Sequence, residues 1–162
     1  MKQIYVDYAR YNLWANQRLV EVFSSEPEEL AEKNIVSSFP SVKLTLLHIW
    51  DAELIWLKRL QGISLNQFPS KTFQGEIQQV YEGMLSNSQD FLYFVEKQEE
   101  AFFGQTLSFK TISYGEQSQK AGEMIHHCLN HSTFHRGQLV MMARQLGLNE
   151  IPPTDLIYFL RG

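Results

Sequence analysis

Apolar side chains recur at steps of three and four from the start of the chain, at Ile4, Tyr8, Tyr11, Ala15, Leu19 and Phe23. That spacing lines one face of a helix and predicts one over about residues 2–24. The run Ser24-Ser25-Glu26-Pro27 ends it, because proline lacks a backbone donor and restricts the residue before it. A second helix is predicted over about residues 42–60. Ser41 offers its N-cap; Leu44, Leu47, Trp50, Leu54, Trp56, Leu57 and Leu60 give it a broad apolar surface around Asp51; and Gly62 suits its end.

Residues 63–73, with Pro69 and several polar side chains, read as a loop. A third helix is predicted over about 74–98, with Val80, Met84, Phe91, Leu92 and Val95 as core positions, although Gly83 and Ser86-Asn87-Ser88 weaken the pattern. Residues 104–115 alternate loosely, as in Thr106-Leu107-Ser108-Phe109, and suit an extended excursion or a short hairpin. A fourth long helix is predicted over about 117–146, stopped by Gly147 and Pro152-Pro153. The apolar tail from Asp155 to Leu160 then forms a short helix packed back on the rest. Four long amphipathic helices without a parallel-strand pattern define an all-α bundle. The connections are too long to dictate a simple up-down-up-down order.

With 162 residues, of which 44% are hydrophobic and 13% aromatic, the chain fits a single domain over 1–162 and is not disordered in composition. Its net charge of −4 gives no general field for nucleic acid or anionic lipid. The start resembles no signal peptide and no apolar run is long enough to span a bilayer, so a cytoplasmic setting is expected. Cys128 is the only cysteine, which excludes an internal disulfide and any multi-thiolate metal site. A small buried hydrophobe is its expected role.

Four of the five histidines fall within ten residues, His126 to His135. His127, His131 and His135 are four apart and form a stripe about 12 Å long on a helix. Adjacent members can share one metal, but three on one straight helix do not converge well, so a further ligand must come from another helix. The only distant histidine is His48. Two readings fit: ordinary hydrogen-bonded helix histidines, or His48 and two of the stripe around a divalent ion. Neutral imidazoles suit zinc, nickel, iron or copper. Three such ligands would leave a coordination position for water, a thiol or a substrate, and the ion would lower that ligand's pKa.

Asp51, three residues after His48, is placed to orient its second ring nitrogen or help attract the cation, or else is a surface acid or a core-edge salt bridge. Arg136 can fork onto a carboxylate but is more ordinarily an exposed helix arginine. The aromatic residues Tyr8, Tyr11, Trp14, Trp50, Trp56 and Phe134 are read mainly as packing. There is no phosphate loop, His-Glu-x-x-His or Cys-x-x-Cys. A dinuclear set built from Glu123, His127, Glu53 and His48 lacks the repeated Glu-x-x-His pattern it would need.

These pieces, taken in order, resemble the DinB/YfiT-like superfamily of metal-dependent helical-bundle proteins. The matching elements are Tyr11-Asn12-Leu13-Trp14-Ala15-Asn16, Leu47-His48-Ile49-Trp50-Asp51-Ala52-Glu53 and, most specifically, His131-Ser132-Thr133-Phe134-His135-Arg136-Gly137-Gln138, followed by Leu146-Gly147 and Pro152-Pro153-Thr154-Asp155. The resemblance implies a four-helix bundle in up-down-down-up order with a short C-terminal helix, often dimeric. It also implies one divalent metal ion per chain, zinc or nickel first and iron or manganese otherwise, held by His48, His131 and His135. The same three residues are then the catalytic set, with no separate organic cofactor. His127 is not carried over as a ligand and is read as a neighbouring pocket or packing residue.

Members of the superfamily include enzymes similar to low-molecular-weight thiol S-transferases and a thiol-dependent isomerase, and bacillithiol is the thiol implied by the short DinB branch. The expected function is therefore a metal-dependent transferase joining a small thiol to a small electrophile, working as a homodimer without nucleic acid or membrane. The alternatives are a hydrolase using metal-bound water and a non-catalytic metal- or ligand-binding stress protein. The family's damage-inducible label concerns expression rather than DNA binding.

Overall fold

Helix ends fall where local chemistry closes them. In the computed structural model, which describes residues 1–162, α1 runs over Lys2–Ser24 and stops before Pro27, and a short α2, not foreseen from the pattern, covers Glu28–Glu32. The third helix, α3 (Val42–Leu60), opens on Ser41, whose hydroxyl accepts from the Leu44 amide at 3.2 Å. It closes on Gly62, whose φ of +78° lets Ile63 N reach back to the Lys58 carbonyl. Next, α4 (Ile77–Lys97) starts three residues later than expected, because Glu76 and Gln79 form a reciprocal capping box there.

The excursion is a two-stranded antiparallel hairpin, β1 (Thr106–Thr111) and β2 (Gly115–Lys120), paired from Thr106–Lys120 to Thr111–Gly115. Residues 117–120, expected to begin the fourth helix, therefore belong to β2. Their partners are across the hairpin, as in the 2.9 Å Ser108–Ser118 hydroxyl contact, and α5 begins only at Ala121 and runs to Gln145. The chain ends in α6 (Leu156–Arg161), and the tail folds back as expected. Tyr11 donates its hydroxyl to the Thr154 carbonyl at 2.8 Å, and Phe159 packs on Tyr11 and Trp14. No helix is long and apolar enough to cross a membrane.

Side-chain pairs fix the directions of the four long helices. Near one end of the bundle, Lys2 and Arg10 of α1 meet Glu96 of α4, and further along Asn16 meets Ser88, so these two helices are antiparallel. Trp50 against Gly83 and Glu53 against Ser88 make α3 and α4 parallel. Thr45 against Met142 and Trp56 against His127 make α3 and α5 antiparallel. The order is up-down-down-up.

The core is not continuous. One buried cluster gathers Leu19, Phe23, Leu46, Val80, Met84 and Leu139, and the other gathers Val6, Leu57, Phe91, Val95, Met124 and Leu129. Between them lies a polar layer described below. The expected core positions on α4 are all buried, whereas Ile4 on α1 is exposed, because the buried face turns toward Val6 and Ala9.

Gly83 does not interrupt α4. A Cβ there would run into the six-membered ring of Trp50, so the glycine is the space in which the indole rests. We expect Gly83→Val to lower unfolding free energy by about 1–3 kcal/mol through overpacking, measured by urea denaturation. An unchanged midpoint would contradict this packing.

Candidate metal centre

Antiparallel packing of α3 on α5 brings His48 beside the His131/His135 pair. His48 Nε2 and His135 Nε2 each lie 3.1 Å from His131 Nε2, and the three nitrogens are all within 4.8 Å of one another. His135 is buried and the other two are half-buried. Imidazole nitrogens bonded at about 2.1 Å to one ion stand roughly 3.0–3.4 Å apart, for angles between octahedral and tetrahedral. The 3.1 Å separations fall inside that interval, and the donor set is the neutral nitrogen type that divalent transition ions accept.

The rings are held by their neighbours. His135 Nδ1 is 2.8 Å from Gln138 Oε1, an acceptor, so Nδ1 carries the proton and Nε2 presents its lone pair to the cluster. Phe39, in the loop before α3, stacks on His48 with centroids 4.3 Å apart and meets His135 edge-on. His131 Nδ1 is buried with no hydrogen-bond partner. Burial, together with the proximity of His135, lowers the pKa of His48 to about 4. Burial and the three neighbouring histidines bring that of His131 to about 3. His135 is lowered by burial, against its bond to Gln138. All three are therefore neutral near pH 7, the state in which imidazole binds metal.

The other candidates have different roles. Asp51 makes no hydrogen bond to His48. Its carboxylate accepts from the Ser70 amide at 2.8 Å and ties down the loop after α3, and burial raises its pKa against the pull of Ser70 and Lys71. His127 lies outside the trio: its ring packs edge-on against Trp56 at 4.9 Å, 6.2 Å from that of His131. Cys128 is fully buried, and burial, with Glu53 nearby, raises its thiol pKa well above the ordinary value, which leaves it an inert packing residue.

Arg136 and Glu53 carry the largest departure from expectation. Arg136 is 2% exposed, not a surface arginine. It donates to Asn12 and Asn16 on α1 and to Thr133 one turn back, while its guanidinium covers Tyr11. The same two asparagines donate to Glu53 at 2.8 and 3.1 Å, and Ser88 and Ser132 donate to it at 2.6 and 3.0 Å. A carboxylate so occupied is no metal ligand, and Glu123 sits apart, accepting from Gln119. The dinuclear set therefore does not form. The layer was hidden because charged residues are normally solvated. Its only signal was that Asn12, Glu53 and Arg136 each lie inside a motif otherwise read for its histidines or aromatics.

Fold and site together describe a four-helix bundle carrying a three-imidazole cluster able to hold a metal ion. The sequence model of the DinB family matches residues 1–161, and the chain belongs to that family. It is 29% identical over 155 residues to Protein DinB of Bacillus subtilis (strain 168), covering 91% of this chain and 89% of that one. Among solved structures it resembles a DinB-like protein of Bacillus cereus ATCC 10987, with a TM-score of 0.70 at 16% identity over 89% of this chain and 91% of that one. A second DinB-like protein, from Bacillus subtilis, gives 0.68 at 13% identity over 91% and 96%. The structural likenesses speak for the fold.

Two outcomes follow. Glu53→Ala leaves the donors on Asn12, Asn16, Ser88 and Ser132 without their buried acceptor and removes the carboxylate that shares those asparagines with Arg136, and should cost about 3–5 kcal/mol in chemical denaturation; a loss below about 1 kcal/mol would contradict the network. Separately, the unfolded chain binds protons at ordinary histidine pKa values, while the folded metal-free chain resists them down to about 4 at His48. Stability should therefore fall as pH drops from 6.5 toward 4. Melting temperature against pH checks this, and a flat profile over that window would contradict it.

Proposed function

We propose that this DinB-family chain is a divalent-metal-dependent transferase that couples a low-molecular-weight thiol, bacillithiol being the form implied by the family, to a small electrophile. Zinc or nickel is the ion proposed, one per chain, with His48, His131 and His135 as ligands and as the catalytic set, in a homodimer. The observation that carries the reading is the convergence of three neutral Nε2 atoms from two helices.

A bound divalent ion would supply Lewis acidity, lowering the pKa of a thiol or water beside it. The chain supplies the rest. Gln138 keeps the His135 lone pair aimed at the cluster, and Phe39 fixes the His48 ring and shields it from water. A cavity of about 670 Å³ reaches His127, the next ring along the stripe from His131, although none of the three clustered histidines lines it. The chain's own thiol, on Cys128, is sealed in the core, so the reacting thiol has to come from a second molecule.

The test uses the zinc- or nickel-loaded protein, cysteine or bacillithiol as the thiol, and monobromobimane as the electrophile. Thiol-dependent adduct formation above the uncatalysed rate is expected, and His131→Ala should abolish both it and stoichiometric metal binding. Electrophile loss independent of thiol would favour bound water as nucleophile. Metal binding without reaction across a panel of electrophiles would favour a binding protein. In either case the transferase reading falls.

The ring-orienting contacts make a separate prediction. Gln138→Ala should weaken zinc affinity roughly 10–100-fold in a competition titration, the usual cost of losing a group that orients a ligand. Asp51→Asn, at a residue not hydrogen-bonded to His48, should leave affinity within about threefold by the same reasoning. The reverse ranking would contradict the proposed positioning role of Gln138.

A further inference from the structure

The cavity beside His127 contains a charge that the protein does not neutralise. Arg59, in the last turn of α3, lines it and is only 8% exposed. Its guanidinium sits 4.6 Å from the ring centroid of Trp56 and 4.9 Å from that of Phe109, in the corner formed where those two rings meet edge to face. It forms no ion pair, no side-chain hydrogen bond of its own appears, and its Nε is buried without a partner. Burial pulls its pKa below the usual arginine value. The contrast with Arg136 is direct: that guanidinium, more deeply buried, is bonded to Asn12, Asn16 and Thr133.

Cation–π contacts and the dipole at the C-terminal end of α3 offset part of the cost of burying a charge, but no carbonyl there is hydrogen-bonded to the N–H fork. The one acid lining the cavity, Glu123, is engaged by Gln119 and makes no ion pair with Arg59. The space beside the guanidinium is large enough for a small organic molecule and is walled by Trp56, Phe109, Tyr114 and Met124. No lysine and no second arginine line it, which suits the single charge and planar geometry of a carboxylate better than a phosphate dianion.

We propose that this cavity is a carboxylate-binding subsite in which Arg59 forks onto the ligand's carboxylate while Trp56 and Phe109 pack its apolar body. Its assignment to a carboxylate-bearing thiol substrate rests on the transferase reading above, whereas the anion recognition itself does not. His127 lies between the subsite and the three-histidine cluster, so a bound ligand extending past that ring would bring its far end toward His131.

The test uses the full-length, chelator-treated chain and two probes of matched shape, 3-phenylpropanoate and 3-phenylpropanamide, followed through the indole N–H resonances with Trp56 assigned by Trp56→Phe. In the unsubstituted protein the acid should bind at least about tenfold more tightly than the amide and shift the Trp56 signal, the selectivity of a charge-assisted fork. Arg59→Gln should erase that preference, and His131→Ala should keep it. Equal affinity for the two probes, no binding of either, or a preference surviving in Arg59→Gln would overturn the subsite. Because the first comparison needs no variant, it stands even if Arg59→Gln does not fold. Loss of thiol chemistry in the metal-loaded protein with the acid preference intact would remove the transferase reading and leave the subsite standing.

Discussion

The carboxylate of Glu53 is the constraint on which the arrangement depends. It is fully buried and accepts hydrogen bonds from α1, α4 and α5 while itself belonging to α3. Apolar contacts alone would tolerate a helix sliding by part of a turn. A buried acceptor with donors on three other helices does not, because any slip leaves polar groups unpaired in a low-dielectric interior. Arg136 completes the layer through the same asparagines, so acid and base share their partners without touching directly. The two apolar clusters lie on either side and supply most of the cohesion; the polar layer between them sets the register.

That register places the histidines. Ser132 and Arg136, which join α5 to the layer, immediately follow His131 and His135, and Glu53 lies on the helix that carries His48. The inside of α5 is thus locked to α1 and α3 by the same short segment whose other side presents two imidazoles toward α3. Residues that touch no proposed ligand position the pair to meet His48 at 3.1 Å. The orienting contacts then divide by chemistry: an amide oxygen for His135 and an aromatic face for His48.

Helix extents were legible in the sequence wherever a cap or breaker had a local mechanism, as at Ser41, Gly62 and Pro27. The strand over 115–120 was not, because all its residues are exposed and polar and it has no alternation to read. Spacing made legible only that His48 could meet two of His127, His131 and His135, and the family resemblance singled out the last two, which are the pair found beside His48. Glu53 and Arg136 were opaque for the opposite reason. A charged side chain in a sequence carries no mark of burial, and only the packed bundle shows which charges are enclosed. For Asp51 the sequence left two roles open, a contact with His48 and an acid at the edge of the core, and the carboxylate is found accepting from the Ser70 amide.

The direct test of the proposed centre is a crystal structure of the protein grown with zinc or nickel, with diffraction recorded on both sides of that metal's absorption edge. The account predicts one anomalous peak per chain, enclosed by the Nε2 atoms of His48, His131 and His135 at about 2.0–2.1 Å. An anomalous map with no peak between those rings, or with the ion bound elsewhere at full occupancy, would contradict it.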